Sequence, residues 1–289
     1  IGKINLFPKY LKNIIKKIIM NSIDFGFIQG RLSSPPSKKI LQYFPKKNWK
    51  NEFKLANKLR LGYIEYFGER IFNKKNPIWN YKSLVEISKL TKKNKLINYS
   101  FCDDFFINNN FVNYIKFDDY YSKIITNLSK INIKVYVLAL FEKSQLRKNN
   151  LIKYAARLKI LSNKLKNKNI KLALETNISV NEIKKLIQLT KCKNIFIVYD
   201  TGNRLKKNNL QYDEIIKLKK YICHFHLKDK NWKGENVVMG HGSVNFTNIF
   251  KAIKKINYKG KFTFETNRGK NPLLTMQSNK KLIEKILIN

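Results

Sequence analysis

The run Val135-Tyr-Val-Leu-Ala-Leu140 holds six apolar residues with no polar interruption. A strand of that kind needs cover on both faces, which is the condition of a parallel sheet lined by helices rather than of a half-exposed antiparallel one. Its neighbours have the matching periods. A helical stretch around Tyr121, Ile124, Ile125 and Leu128 leads into it. A helix is predicted over 151–165 with Ile152, Ala155, Leu158, Leu161 and Leu165 in register, and Ile170-Lys-Leu-Ala-Leu-Glu175 is predicted as the next strand.

The alternation continues in both directions. Toward the N-terminus stand a strand Phe25-Gly-Phe-Ile-Gln29 and a helix opened by Asn48, carrying Trp49, Phe53, Ala56 and Leu59, with Gly62 just past its end. A strand Tyr63-Ile-Glu-Tyr-Phe67 follows, then a helix capped by Asn80 with Leu84, Ile87 and Leu90 inward, and a strand over 96–101. Toward the C-terminus, Ser179 and Glu182 form a capping box ahead of a helix. Beyond it come the strand Ile195-Phe-Ile-Val-Tyr-Asp200, a short helix near 213–218, and the strand Tyr221-Ile-Cys-His-Phe-His-Leu-Lys-Asp229. A glycine-punctuated loop, a helix with Phe246, Ile249, Phe250 and Ile253, the strand Phe262-Thr-Phe-Glu265 and a helix over 272–288 complete the chain. Eight strands alternating with helices predict an α/β fold, a (β/α)8 TIM barrel forming one domain over 21–289. A doubly wound dinucleotide fold is disfavoured, because Gly26 and Gly30 do not make the glycine fingerprint after the first strand.

With 289 residues and 43% hydrophobic content the chain has a substantial core. Its formal charge of +40 would ordinarily suggest nucleic acid or an anionic membrane. The lysines are spread along the whole chain among many Asn and Ile, as an AT-rich coding sequence would produce, so a small-molecule partner is expected and nucleic acid is not. Three widely spaced cysteines argue against a disulfide framework and for a reducing, cytoplasmic setting. No apolar run approaches the roughly 20 residues of a membrane span. Residues 1–19 form a basic, apolar extension before Met20, for which an extra amphipathic helix, a surface-binding arm and sequence upstream of a true start at Met20 are the readings, the last being preferred.

The chemistry gathers at strand ends. All three histidines fall between positions 224 and 241, and alternation puts His224 and His226 on one face, with Cys223, Phe225 and Leu227 on the other. Four consecutive strands end at or near Glu175, Asp200, His226 and Glu265, and in a barrel those ends open on the active face. Three carboxylates and one imidazole suit Mn²⁺, Mg²⁺, Co²⁺ or, less exclusively, Zn²⁺.

The segments Leu174-Glu-Thr-Asn177, Tyr199-Asp-Thr-Gly-Asn203, His224-Phe-His-Leu-Lys-Asp229, Gly240-His-Gly-Ser-Val-Asn-Phe246 and Phe264-Glu-Thr-Asn-Arg268 resemble, in order and spacing, the sugar isomerase/epimerase family of xylose-isomerase-like barrels. Ile28-Gln-Gly-Arg-Leu32 adds to the likeness, which runs from about Phe25 to the C-terminus. The resemblance implies one divalent metal held by Glu175, Asp200, His226 and Glu265, with the second histidine of H-x-H as the ligand. It implies an isomerase or epimerase acting on a sugar or sugar phosphate. A metal chelated by the carbonyl and its neighbouring hydroxyl would stabilise the enediolate left when the adjacent proton is removed. Glu175 and Glu265 are the catalytic candidates, one as base and the other returning the proton.

His224, Lys228, Asn203 and Arg268 are the candidate substrate contacts, His224 lying deeper with a supporting role as the other possibility. Arg31 and Glu142 are expected in surface ion pairs, Asp229 as an orienting group and His241 as a loop residue. Phe105, Phe106 and Phe111 suit either a pocket wall or an oligomer interface. A polyol dehydratase uses the same chemistry and stays as an alternative, as does a non-catalytic sugar-binding barrel. An apurinic-site endonuclease, the nucleic-acid alternative, needs more histidines than the three present.

Overall fold

The computed structural model describes residues 24–37, 40, 42–207 and 210–288, so the expected N-terminal extension lies outside the described residues. Among the described residues eight parallel strands close into a barrel: β1 (Phe25–Ile28), β2 (Tyr63–Gly68), β3 (Ile97–Asp103), β4 (Val135–Ala139), β5 (Lys171–Glu175), β6 (Ile195–Asp200), β7 (Ile222–Leu227) and β8 (Lys261–Phe264). β1 pairs with β2 on one side and with β8 on the other, which leaves no open edge. The surrounding helices are α1 (Trp49–Lys58), α2 (Tyr81–Lys93), α3 (Phe117–Lys130), α4 (Leu151–Lys166), α5 (Val180–Thr190), α6 (Gln211–Leu218), α7 (Phe246–Lys255) and α8 (Pro272–Ile288). No helix among the described residues is long and apolar enough to cross a membrane.

The strand that predicted the fold behaves as its composition requires. Val135 and Val137 of β4 join a lumen cluster with Ile28, Cys102, Ala173 and Val198, while Tyr136 and Leu138 join the shell between barrel and helices. Helix starts follow local chemistry. Asn80 accepts from the backbone N–H groups of Lys82 and Ser83, and Ser179 and Glu182 make both bonds of a capping box.

Four local expectations change. Ile152, expected inward, is 75% exposed, because the buried stripe of α4 runs through Leu151, Tyr154, Ala155, Leu158, Leu161 and Leu165. Gly62 lies just past α1 but does not cap it; the helix ends at Lys58, Arg60 takes the left-handed turn at φ 54°, and the Gly62 N–H already donates to the Phe25 carbonyl in the barrel. Cys223 sides with the lumen cluster rather than with Phe225 and Leu227, since β7 slips by one residue against β6 between Ile222 and His224. Phe105, Phe106 and Phe111 are buried, stacked among Tyr114, Tyr120, Tyr121 and Tyr154, and so form a core cluster rather than a free surface.

Candidate metal centre and active site

Barrel geometry brings the four expected ligands together. Glu175 and Asp200 are the last residues of β5 and β6, His226 is the penultimate residue of β7, and Glu265 directly follows β8. All four are buried, and each offers a ligand atom within 4.8 Å of the others. His226 Nδ1 lies 2.9 Å from Glu265 Oε2 and 3.6 Å from Glu175 Oε2. Asp200 Oδ1 accepts from the N–H groups of Gly202 and Asn203, leaving Oδ2 turned toward the cluster.

The other edge of the imidazole faces a residue that sequence reasoning missed. Glu65, on β2, is fully buried and places Oε1 2.8 Å from His226 Nε2 and Oε2 2.8 Å from His224 Nε2. Ser100 and Thr263 hydroxyls also donate to Glu65 Oε2, and His224 Nε2 lies 2.9 Å from Thr263 Oγ1. A carboxylate behind a ligating histidine fixes ring orientation and tautomer. Burial alone would raise the Glu65 carboxyl pKa, but His226 and then His224 outweigh it and hold that pKa well below the usual range.

The donor set fits a divalent cation. His226 Nδ1, Asp200 Oδ2 and Glu265 Oε2 are buried and none makes a hydrogen bond of good geometry; their close neighbours are one another and the Lys228 ammonium, so their lone pairs converge on a point a cation could occupy. Four carboxylates (Glu65, Glu175, Asp200, Glu265) crowd the site beside two cations, Lys228, whose Nζ is 2.9 Å from Asp200 and 2.8 Å from Glu265, and Arg31, 3.6 Å from Glu265. Burial first, then Glu265, push the Glu175 carboxyl pKa up to about 8. For Glu265 burial acts upward too, but Lys228, His226 and Arg31 hold its pKa well below the ordinary range.

Two of the four expected ligands, Glu175 and Glu265, line a cavity of about 260 Å³, whose wall also includes Asn203, Lys228, Lys230 and Asn236. A larger surface groove of about 430 Å³ lies alongside and shares Glu142 with it, but contains none of the four ligands. Of the expected substrate contacts, Lys228 and Asn203 line the cavity, and Asn203 Nδ2 donates to Glu175 Oε1 at 2.7 Å.

The other two lie elsewhere. His224 is buried a layer below, held by Glu65 and Thr263, so the supporting role is the one its position fits. Arg268 turns away from the cavity: its Nε donates to the Gly30 carbonyl at 2.7 Å and its guanidinium covers the Tyr43 ring. Arg31 is not in a surface pair; it is 1% exposed, and its NH2 donates to Gln42 Oε1, while Gln42 Nε2 donates to Glu265 Oε1 at 2.7 Å. Glu142 does make an exposed pair, with Arg70 at 3.0 Å. Asp229 orders the following loop by accepting from the N–H groups of Gly240, Gly242 and Val244, and His241 is an exposed residue of that loop.

Comparison with known proteins agrees with this architecture. D-psicose 3-epimerase with D-tagatose, from Clostridium cellulolyticum H10, is similar with a TM-score of 0.70 at 12% identity, over 92% of this chain and 99% of that one. L-ribulose 3-epimerase matches with 0.71 at 14% identity, over 92% and 94%. The IolI protein with a bound zinc atom matches with 0.71 at 14%, over 92% and 98%. At such identities the likeness is one of fold. SgbU of Haemophilus influenzae, by its name a candidate L-ribulose-5-phosphate 3-epimerase, is 36% identical over 98 residues, 30% of this chain, and the match spans 34% of that protein's length. Residues 53–286, most of the barrel, match the family model described as xylose isomerase-like TIM barrel, and the chain belongs to that family.

Proposed function

We propose that the protein is a metal-dependent epimerase or isomerase of a keto sugar or sugar phosphate, taking the proton from the carbon next to the carbonyl. The observation that carries this reading is that Glu175 and Glu265 both line the cavity and both belong to the four-residue cluster. The names of three of the similar proteins, D-psicose 3-epimerase, L-ribulose 3-epimerase and the candidate 3-epimerase SgbU, favour epimerisation.

Glu175, Asp200, His226 and Glu265 would hold the ion. When bound, a divalent cation supplies Lewis-acid polarisation of the carbonyl and stabilises negative charge on its oxygen. The chain's own groups do the remainder. β5 and β8 stand three places apart around the ring, so Glu175 and Glu265 can address opposite faces of one carbon. Glu175, steadied by Asn203, takes a proton from one face; Glu265, steadied by Gln42 and Lys228, returns one to the other. Lys228, with two of its three N–H groups turned to Asp200 and Glu265, offers the third to a substrate oxygen.

The test is a panel of ketoses and ketose phosphates incubated with Mn²⁺-loaded protein in D₂O. Deuterium is expected at the carbon beside the carbonyl, and Glu175→Gln should abolish its uptake. Absence of exchange in every substrate, or uptake unaffected by Glu175→Gln, would falsify the reading.

A further inference from the structure

Three cations stand in the cavity wall: Arg70, Lys228 and Lys230. Arg70 is paired with Glu142, and Lys228 with Asp200 and Glu265. Lys230 has no ion pair among the described residues, although it is half-buried. Burial and then the nearby Lys228 ammonium lower its pKa, and the more distant carboxylates of Asp200, Glu265 and Glu175 offset this only in part.

Lys230 does not stand alone. The residues Asp229–Lys230 and Asn236–Val237 form a short antiparallel ribbon after β7, in which Lys230 lies directly opposite Asn236. Opposed residues of an antiparallel pair project to the same side, and Asn236 lines the same cavity. Its side-chain Oδ1 is buried with no hydrogen-bond partner.

The ribbon is fixed in place. The Asp229 carboxylate gathers three backbone N–H groups of the loop, Ser243 N–H donates to the Lys230 carbonyl, and Asn267 Nδ2 donates to the Asn236 carbonyl. A lysine on a solvated loop would need no explanation. An ammonium with no contacting carboxylate, opposite an acceptor without a donor on a pinned ribbon, is a prepared subsite that the metal cluster does not use.

We propose that Lys230 and Asn236 bind the phosphoryl end of a phosphorylated substrate, Lys230 donating to a phosphoryl oxygen and Asn236 Oδ1 accepting from a neighbouring hydroxyl. This rests on the keto-sugar reading for the kind of molecule that carries the phosphoryl group. A charge-assisted hydrogen bond of this kind is worth about 1.5–3 kcal/mol, or about 10–100-fold in affinity.

Binding can be measured apart from turnover. A pentitol 5-phosphate has no carbonyl and cannot react. Calorimetric titration of it, of the free pentitol and of the corresponding aldonate into the full Mn²⁺-loaded chain should show the phosphate binding at least about tenfold tighter than either. Lys230→Met should bring that ratio close to one, Lys230→Arg should keep part of it, and Asn236→Asp should weaken the phosphate selectively. No binding of the phosphate, no preference for it over the pentitol or the aldonate, or a preference retained in Lys230→Met overturns the subsite. The two proposals fail separately. Deuterium exchange in free ketoses without a phosphate preference removes the subsite alone, and a Lys230-dependent preference without exchange in any keto sugar removes the reaction alone.

Discussion

Glu65 Oε1 stands 2.8 Å from His226 Nε2 while Glu65 Oε2 stands 2.8 Å from His224 Nε2, so one buried carboxylate of β2 holds both histidines of β7 across the lumen. With Nε2 turned to Glu65, the nitrogen presented to Glu175 and Glu265 is Nδ1. Loss of such a partner usually lowers metal affinity about 10–100-fold, and breaking a buried ionic contact costs about 3–5 kcal/mol. Glu65→Ala should show both effects in a Mn²⁺ titration and in denaturant unfolding. Glu65→Gln, which can still accept from one ring, should lose less. Wild-type metal affinity in Glu65→Ala would remove the orienting role.

The same contact marks where sequence reasoning stops. In Tyr63-Ile-Glu-Tyr-Phe67 the acid is one polar residue in a strand, and its partner His224 is 159 residues away. Closure of the ring and the vertical register of β2 against β7 bring them together, and neither is visible locally. Glu175, Asp200, His226 and Glu265 were legible because strand ends share a face whatever the register. Ser179 with Glu182 was legible because both bonds form within one helical turn. Arg31 was misread since its place depends on how the first loop folds back over the barrel mouth, and that loop is held by Glu52 of α1, which accepts from Gly30 N, Leu32 N and Ser33 Oγ.

Removing the ion should destabilise the fold. A ligand present at 100 times its dissociation constant adds about 2.7 kcal/mol to stability. Unfolding of the metal-loaded protein should therefore shift to a lower temperature on chelation and recover on adding Mn²⁺. Asp200→Asn should abolish the difference between chelated and loaded samples. A chelation shift of the same size in wild type and Asp200→Asn would place the ion elsewhere.

Arg204 joins the loops that follow β5 and β6. Its Nε and NH2 donate to Glu214, and its remaining N–H groups reach the carbonyls of Thr176 and Ile178, next to Glu175. Both partners are buried, so Arg204→Met should cost about 3 kcal/mol or more. Burial would raise the Glu214 carboxyl pKa, but Arg204 and Lys206 outweigh it and lower it. The stability from a depressed acid is present above the unfolded pKa, about 4.3, and is lost as pH falls through the lower folded value. The gap between wild type and Arg204→Met should therefore hold above about pH 4.3 and narrow as the pH falls below it in denaturant midpoints. An unchanged gap would mean that charge plays no part.

Gly30 couples backbone strain to the site. Its φ is +91°, and an added Cβ would lie 2.3 Å from the Tyr43 carbonyl oxygen, so alanine must displace that strand of loop. Gln42, the preceding residue, donates to Glu265, and Arg268 holds the Gly30 carbonyl itself. Gly30→Ala should therefore lose more than the roughly 1 kcal/mol of an incompatible backbone, and should also slow deuterium uptake by shifting Gln42 from Glu265. Gly234 supplies the control: its φ is +81°, but an added Cβ meets nothing within 4 Å. Gly234→Ala should show the backbone cost alone, with exchange kinetics like those of wild type. Equal exchange rates in the two variants would show that the Gly30 turn serves stability and not the site.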